Sequence, residues 1–256
     1  MKLVFNQEIA ANYTNEAQRI RVLSEDWVNR NTYCPNCGYF DIKDHPNNKP
    51  VADFYCLRCK EDYELKSKKN TIGKKITDGA YSTMISRLKS ENNPNLFLLN
   101  YDPIDYSIKN FVVIPKHFFV PRIIEKRKPL TSTARRAGWV GCNILLKEIP
   151  RTGKIFYIRD RHVESKEYVL SEWNKTLFLR EEKEVVAKGW LLDIMNCIEQ
   201  LNKKEFTLNE MYEFKNVLEK IHPENKHIKD KIRQQLQVLR DKGYLEFISP
   251  GKYRLI

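Results

Sequence analysis

The clearest hydrophobic periodicity lies in the last third of the chain. Trp190, Leu191, Ile194, Cys197, Ile198 and Leu201 recur at helical spacing and predict an amphipathic helix from about Gly189. Thr207-Leu208-Asn209-Glu210 is a capping-box signature that opens a second helix carrying Met211, Phe214 and Leu218. A third helix is predicted from about Lys226 to Lys242 and ends at Gly243, the usual C-terminal glycine. Ile228, Ile232, Leu236 and Leu239 form its buried stripe. The segment LEFI, a Ser-Pro-Gly turn and YRLI then predict a short hairpin. Three helices followed by a hairpin is the layout of a winged helix.

The earlier pattern mixes helical and alternating segments. Residues 13–30 predict a helix through Ala17, Ile20, Val22, Leu23 and Trp27, with Ser24-Glu25-Asp26 interrupting the stripe. Residues 51–55 and 62–66 read as two short strands. A helix is expected over 77–88. The apolar runs 96–100 (LFLLN), 111–114 (FVVI) and 155–158 predict buried strands. The order implies a mixed α/β core. Residues 116–136 carry Lys116, Arg122, Lys126, Arg127, Lys128, Arg135 and Arg136 against the single acid Glu125, and two prolines break any periodicity. An irregular, exposed surface is expected there. The charged tract 179–189 reads as a linker, which predicts one domain over 1–182 and a second over 183–256.

Composition narrows the class. Lys and Arg total 45 against 33 Asp and Glu, a formal net charge of +12. Such a surplus favours a polyanionic partner, because cationic side chains neutralise phosphates and release condensed counterions. No apolar run approaches the roughly 20 residues that span a bilayer, and the opening MKLVFNQEIA meets polar residues too early for a signal peptide. Cys142 and Cys197 stand alone in apolar surroundings, so no disulfide framework is expected. These features predict a cytoplasmic protein with no membrane partner.

Two stretches carry chemistry. Cys34, Cys37, Cys56 and Cys59 form two Cys-x-x-Cys pairs at structural-zinc spacing. Four thiolates close a tetrahedron and leave no position for a reacting water, so Zn²⁺ is expected to be scaffold and not catalyst. Around the second pair, Asp53 is placed on one predicted strand and Glu64 and Lys66 on the next. Side chains two apart on a strand share a face. If Asp53 faces the same way, two carboxylates converge beside one ammonium. Phosphodiester hydrolysis needs this set: carboxylates hold Mg²⁺, which lowers the pKa of a bound water, and the lysine stabilises developing charge. Lys68, Lys69, Lys74 and Lys75 flank the pattern.

Asp53 followed by Glu64-Leu65-Lys66 resembles the catalytic core of the PD-(D/E)XK nuclease superfamily, although Pro50 stands three residues before Asp53 and not next to it. With SEDWVNR, YCPNCG, PVADFYC, YELKSKK, DGAY, TARRAGW and IRQQLQVLRDKG in order, the whole chain resembles methyl-directed type II restriction endonucleases, which cut GATC when its adenine is N6-methylated. The resemblance implies an α/β PD-(D/E)XK core with an inserted four-cysteine zinc site, plus a C-terminal winged-helix domain. It implies Asp53, Glu64 and Lys66 as catalytic residues. Mg²⁺ would be held by Asp53, Glu64 and the backbone carbonyl of Leu65, with double-stranded DNA containing N6-methyladenine as partner and a monomer in solution. Glu25 lies in the first helix, where many such enzymes place a supporting acid.

On the third C-terminal helix, Lys226, Arg233, Gln234 and Gln237 lie opposite the buried stripe, with Lys229 on its flank. Arg and Gln are suited to paired hydrogen bonds with guanine and adenine edges. Lys252 and Arg254 are the expected phosphate contacts of the wing. Residues 226–256 hold eight Lys/Arg against three acids, and 183–225 hold six against eight. A methyl in an apolar pocket separates ligands by about 1–3 kcal/mol, so sharp discrimination gains from reading methyls on both strands. Trp139, between Gly138 and Gly141 and after Arg135 and Arg136, is either a methyl contact or a core tryptophan. Two other readings stand beside the methyl-directed endonuclease: a catalytically idle methyl-DNA-binding regulator, and a zinc-containing nuclease without methyl specificity.

Overall fold

The computed structural model describes residues 1–45, 52–90 and 93–256, so Val51 of the first predicted strand, and Pro50 before it, lie outside the described residues. Two compact units divide the chain. Met1–Lys147 with Thr152–Thr176 form the first, and Glu148–Arg151 with Leu177–Ile256 form the second.

The first unit opens with α1 (Glu16–Asn31), whose N-cap Asn15 side chain accepts the Gln18 N–H at 3.1 Å. Leu23, Ser24, Trp27 and Val28 are its buried residues, so Ser24 continues the inner face where an interruption was expected. Then follow β1 (Ile42–Asp44), β2 (Phe54–Cys56), β3 (Asp62–Lys69), β4 (Ile76–Ala80), α2 (Tyr81–Lys89), β5 (Asn95–Tyr101), β6 (Ile108–Ile114), β7 (Ile124–Lys126), β8 (Gly141–Ile144), β9 (Ile155–Arg159), β10 (His162–Val163) and α3 (Lys166–Lys175). A seven-stranded sheet runs β1-β2-β3-β5-β6-β9-β10, and a three-stranded sheet runs β4-β8-β7. β3 and β5 are parallel, because β4 and α2 lie between them in the chain and supply the long connection that parallel pairing requires.

Four aromatic rings line up across adjacent strands of the large sheet. Tyr63 on β3 stacks on Phe97 of β5 at 4.4 Å, Phe97 meets Phe111 of β6 at 5.1 Å, and Phe111 meets Tyr157 of β9 at 5.0 Å. All four are fully buried. Offset and tilted ring pairs add to the stabilisation from area alone, and here they bind β3 to the centre of the sheet.

Two expectations need correction. Residues 77–88 are not one helix: 76–80 form β4, and α2 begins only at Tyr81. Ile76 and Asp78 are buried while Thr77 and Gly79 are exposed, a period-two pattern hidden by its shortness. The segment 116–136 is not exposed throughout. Phe118, Val120, Ile123 and Ile124 are buried, and their apolar contribution outweighs the interleaved cations. Residues 126–138 are the exposed part, Ala134 being half-buried.

The second unit contains α4 (Val185–Leu201), β11 (Glu205–Thr207), α5 (Leu208–Tyr212), α6 (Lys215–Ile221), α7 (Ile228–Asp241), β12 (Leu245–Ser249) and β13 (Lys252–Leu255), with sheet order β11-β13-β12. Position 182 falls inside this unit, beyond a 3-10 turn at Leu177–Arg180 whose Phe178 packs on Tyr244 at 6.0 Å. The expected linker tract instead carries the start of α4. Both halves of the Thr207–Glu210 capping box form, but the expected second helix is split into α5 and α6 around Glu213-Phe214. Ile228, Ile232, Leu236 and Leu239 of α7 are buried, and Gly243 takes φ +73°, a conformation that L side chains rarely adopt. Leu236→Ala should therefore lower the opening free energy of α7 by about 2–5 kcal/mol, and exposed Gln237→Ala by under about 0.5 kcal/mol. Hydrogen exchange of the α7 amides in the intact chain measures both.

Candidate active site and metal centre

The two Cys-x-x-Cys segments fold into the same turn. Cys34 N–H donates to Tyr39 O at 2.8 Å and Gly38 N–H to Cys34 O at 2.8 Å. In parallel, Cys56 N–H donates to Glu61 O at 2.9 Å and Lys60 N–H to Cys56 O at 3.0 Å. Gly38 and Lys60, each just after a second cysteine, both take positive φ, +71° and +60°. This repeated turn aims both thiols of a pair inward. The four Sγ atoms lie within 4.8 Å of one another, with Cys34–Cys59 at 3.4 Å and Cys37–Cys56 at 3.6 Å. Tetrahedral Zn–S bonds of about 2.3 Å place sulfurs about 3.8 Å apart, so donor set and spacing fit a zinc ion. Burial pushes the Cys34 thiol up, and a cation is what keeps such a group ionised. The Tyr63 hydroxyl lies 3.1 Å from Cys34 Sγ, which ties this cluster to the aromatic row.

β3 leaves the second of these turns and carries Glu64 and Lys66 on one face. Glu64 Oε1 is 2.5 Å from Lys66 Nζ. A third group completes the cluster: Asp78 of β4, whose Oδ1 is 2.9 Å from the same ammonium. Arg87 of α2 approaches Glu64 at 3.8 Å. Burial raises the Glu64 carboxyl against the opposing pull of Lys66. For Lys66 burial works downward, yet Glu64 and Asp78 outweigh it and hold the ammonium above the ordinary lysine value. At neutral pH Lys66 is a fixed cation.

Asp53 flanks the β2 edge of β3, its carbonyl accepting the His45 N–H at 2.8 Å on the far side. β2 begins only at Phe54, and the Asp53 side chain turns in to accept the Leu65 N–H at 2.7 Å, a donor that the short ladder leaves open. The carbonyl of a strand residue projects to the same side as its N–H, so the Leu65 carbonyl faces this edge as well. The paired register stops at Phe54–Tyr63, and the Asp53 N–H also donates to Tyr63 O, at 2.9 Å, so the ladder does not continue to Glu64. Among the described residues, no hydrogen bond or ion pair joins Asp53 to Glu64 or Lys66. Asp53 instead lines a cleft of about 540 Å³ with Arg21, Ser24 and Glu25 of α1 and with Leu65 and Ser67, which alternate with Glu64 and Lys66 along β3. Arg21 and Glu25 pair at 2.6 Å, and burial raises the Glu25 carboxyl.

The structure thus brings Glu64 and Lys66 together and holds Asp53 on the neighbouring edge. Asp78 and Arg87 went unnoticed in the sequence because 77–88 read as one helix.

The expected DNA contacts divide into two groups. In the first unit, Arg135 and Arg136 are exposed, and the Arg136 guanidinium lies 4.7 Å over the Trp139 ring. Trp139 is half-buried and lies against Gly141, where an added Cβ would come within 2.8 Å of the ring, so it is not a core tryptophan. In the second unit, Lys226, Lys229, Arg233, Gln234 and Gln237 are all exposed on α7 or its N-terminal approach. Lys229 lies 4.9 Å over the Tyr212 ring, and Arg233 Nε donates to the Tyr212 hydroxyl at 2.6 Å. Lys252 and Arg254 of the wing are engaged by acids: Lys252 by Glu205 at 3.1 Å, and Arg254 by Glu205 at 2.8 Å and Glu246 at 3.2 Å.

A buried carboxylate–lysine cluster, a four-thiol metal centre and a separate helical unit with an exposed basic face describe a nucleic-acid-processing protein. The family model described as DpnI, Dam-replacing family, matches residues 1–182, and that described as the Dam-replacing HTH domain matches residues 186–255. The chain belongs to the Dam-replacing family, a match that carries with it a restriction nuclease whose helix-turn-helix domain takes DNA as partner. No helix among the described residues is long and apolar enough to cross a membrane.

If the thiol cluster is one metal centre, the purified chain should carry one zinc per molecule, and Cys56→Ser should reduce that to well below one. Elemental analysis of the folded proteins checks both.

Proposed function

We propose that the chain is a Mg²⁺-dependent type II restriction endonuclease that hydrolyses double-stranded DNA at GATC sites containing N6-methyladenine. The observation that carries the reading is the Glu64–Lys66 pair, 2.5 Å apart on one face of β3, in a chain of this family. In this reading the first unit is a PD-(D/E)XK core, and the second, with three antiparallel strands after and around its helices, is a winged helix. A cytoplasmic monomer accords with the reading.

Asp53 and Glu64 offer carboxylate oxygens and Leu65 its backbone carbonyl, the hard oxygen donors that Mg²⁺ prefers. The Leu65 N–H supports their fit, since it fixes Asp53 beside the peptide whose carbonyl shares that edge. Mg²⁺, when bound, supplies polarisation of the phosphate and a more acidic water. The chain's own contribution is positional and electrostatic. Lys66, held as a cation, stabilises charge growing on the phosphate oxygens, and Arg87 adds a second positive group at 3.8 Å from Glu64. Zn²⁺ at Cys34, Cys37, Cys56 and Cys59 holds the turn from which β3 starts. The exposed face of α7 reads bases through Arg233, Gln234 and Gln237, with Lys226 and Lys229 close to the backbone. Wing residues Lys252 and Arg254 reach phosphate only if they leave Glu205 and Glu246. Trp139, with Arg135 and Arg136, is the methyl contact of the first unit: a half-buried aromatic ring beside exposed cations suits a methylated base next to phosphate.

Digestion of matched plasmids from adenine-methylating and non-methylating hosts, with and without Mg²⁺, tests this reading. Only methylated plasmid with Mg²⁺ should be cut. Glu64→Ala and Lys66→Ala should each lose at least about 10²–10³ in rate while still shifting methylated DNA on a gel. Equal cutting of both plasmids would remove methyl direction, and cutting of neither would favour a DNA-binding regulator.

A further inference from the structure

Asp78 belongs to neither the thiol cluster nor the proposed metal ligands, and its environment is unusual. Its side chain is only 5% exposed. It stands on β4 at a bulge: the pairing with β8 steps from Asp78–Cys142 to Ala80–Gly141, leaving Gly79 as the extra residue. Bulges re-aim side chains and recur beside active sites. Here the bulge turns the Gly79 N–H onto Asp78 Oδ1 at 2.7 Å, and the same oxygen meets Lys66 Nζ at 2.9 Å. Asp78 Oδ2 is buried without a hydrogen-bond partner. A residue serving packing alone has no use for a desolvated charge with an empty acceptor, since an apolar side chain would fill the space without that cost.

Lys66 is the cation that answers Asp78, and it is shared. Glu64 holds the ammonium from the other side at 2.5 Å. Asp78 adds a second carboxylate contact at 2.9 Å, so the ammonium is gripped from β3 and from β4 at once. We propose that Asp78 is a positioning residue for Lys66: it anchors the ammonium from β4 and fixes Nζ beside Glu64. The inference rests on the reading of Glu64 and Lys66 as the cleavage pair.

Asp78→Asn keeps the volume and an acceptor for Gly79 while removing the charge. Steady-state cleavage of methylated plasmid in saturating Mg²⁺ should show kcat reduced by about a hundredfold and KM for DNA within about twofold of wild type; loss of packing alone would not give this split. A second measurement needs no activity. Reductive methylation followed by mass spectrometry should modify Lys66 several-fold more slowly than exposed Lys89 in the wild-type chain, and Asp78→Asn should shrink that difference. A folded Asp78→Asn with kcat within twofold of wild type overturns the proposal. So does wild-type Lys66 that reacts as fast as Lys89, which decides the matter alone should Asp78→Asn fail to fold. Lys66→Ala is assayed in parallel: if it is inactive while Asp78→Asn is normal, the proposal fails and the nuclease reading stands. If wild type cuts nothing, the nuclease reading fails, and the labelling contrast upholds or overturns the hold of Asp78 on Lys66.

Discussion

The four thiols and the Tyr63 hydroxyl form the constraint on which the first unit depends. β2 is three residues long and its pairing with β3 covers only Phe54–Tyr63 and Tyr55–Asp62. A two-stranded ribbon this short has marginal stability by itself. The turn joining the strands is the second Cys-x-x-Cys segment, and its partner segment lies directly after α1. A metal ion bound by all four sulfurs would clamp the end of α1 to the start of β3. A structural zinc of this kind contributes on the order of 10 kcal/mol or more to folding. From the same cluster, Tyr63 begins the aromatic row that reaches Tyr157, whose hydroxyl donates to Tyr33 O at 2.8 Å, next to Cys34. The loop of contacts closes on itself around β3.

The charged face of β3 sets requirements opposite to those of this core. Glu64, Lys66 and Asp78 have been removed from most of their water, and each is tolerable only because the others are present. Such a cluster is poor material for stability and good material for holding an ammonium still. The aromatic face of β3 supplies the rigidity that holds the polar face in place. The second unit distributes charge differently. Its α7 keeps a continuous buried stripe and an exposed basic and amide face, whereas the wing cations are already engaged by Glu205 and Glu246. Contact with DNA through α7 meets only the loose Arg233–Asp230 pair at 3.8 Å; contact through the wing must open the closer pairs to Glu205 and Glu246.

Much of this was legible in the sequence where one strong rule applied. Cys-x-x-Cys spacing located the metal centre, period-two alternation placed Glu64 and Lys66 on one face, and the stripe of Ile228, Ile232, Leu236 and Leu239 marked the inside of α7. Rules failed where two signals overlapped within a few residues. The five residues of β4 run directly into α2, so a helical reading absorbed both and hid Asp78. In 116–126 the cations suggested exposure, but Phe118, Val120 and Ile123 determine where the backbone goes. Long-range pairing was not legible at all: nothing local to Lys252 or Arg254 announces Glu205, because that neighbour arrives through the pairing of β11 with β13.

A cation bound by the four thiols would hold the β2–β3 hairpin and, through it, the proposed cleavage residues in register. The most direct test strips metal with a strong thiol-competing chelator, exchanges the chain into buffer with Mg²⁺ alone, and measures both cutting of methylated plasmid and amide exchange across residues 52–69. Cutting should be lost together with exchange protection of β3, and both should return on adding one equivalent of Zn²⁺. Full cutting by the stripped protein in Mg²⁺ alone, with β3 still protected, would contradict this role of the cation.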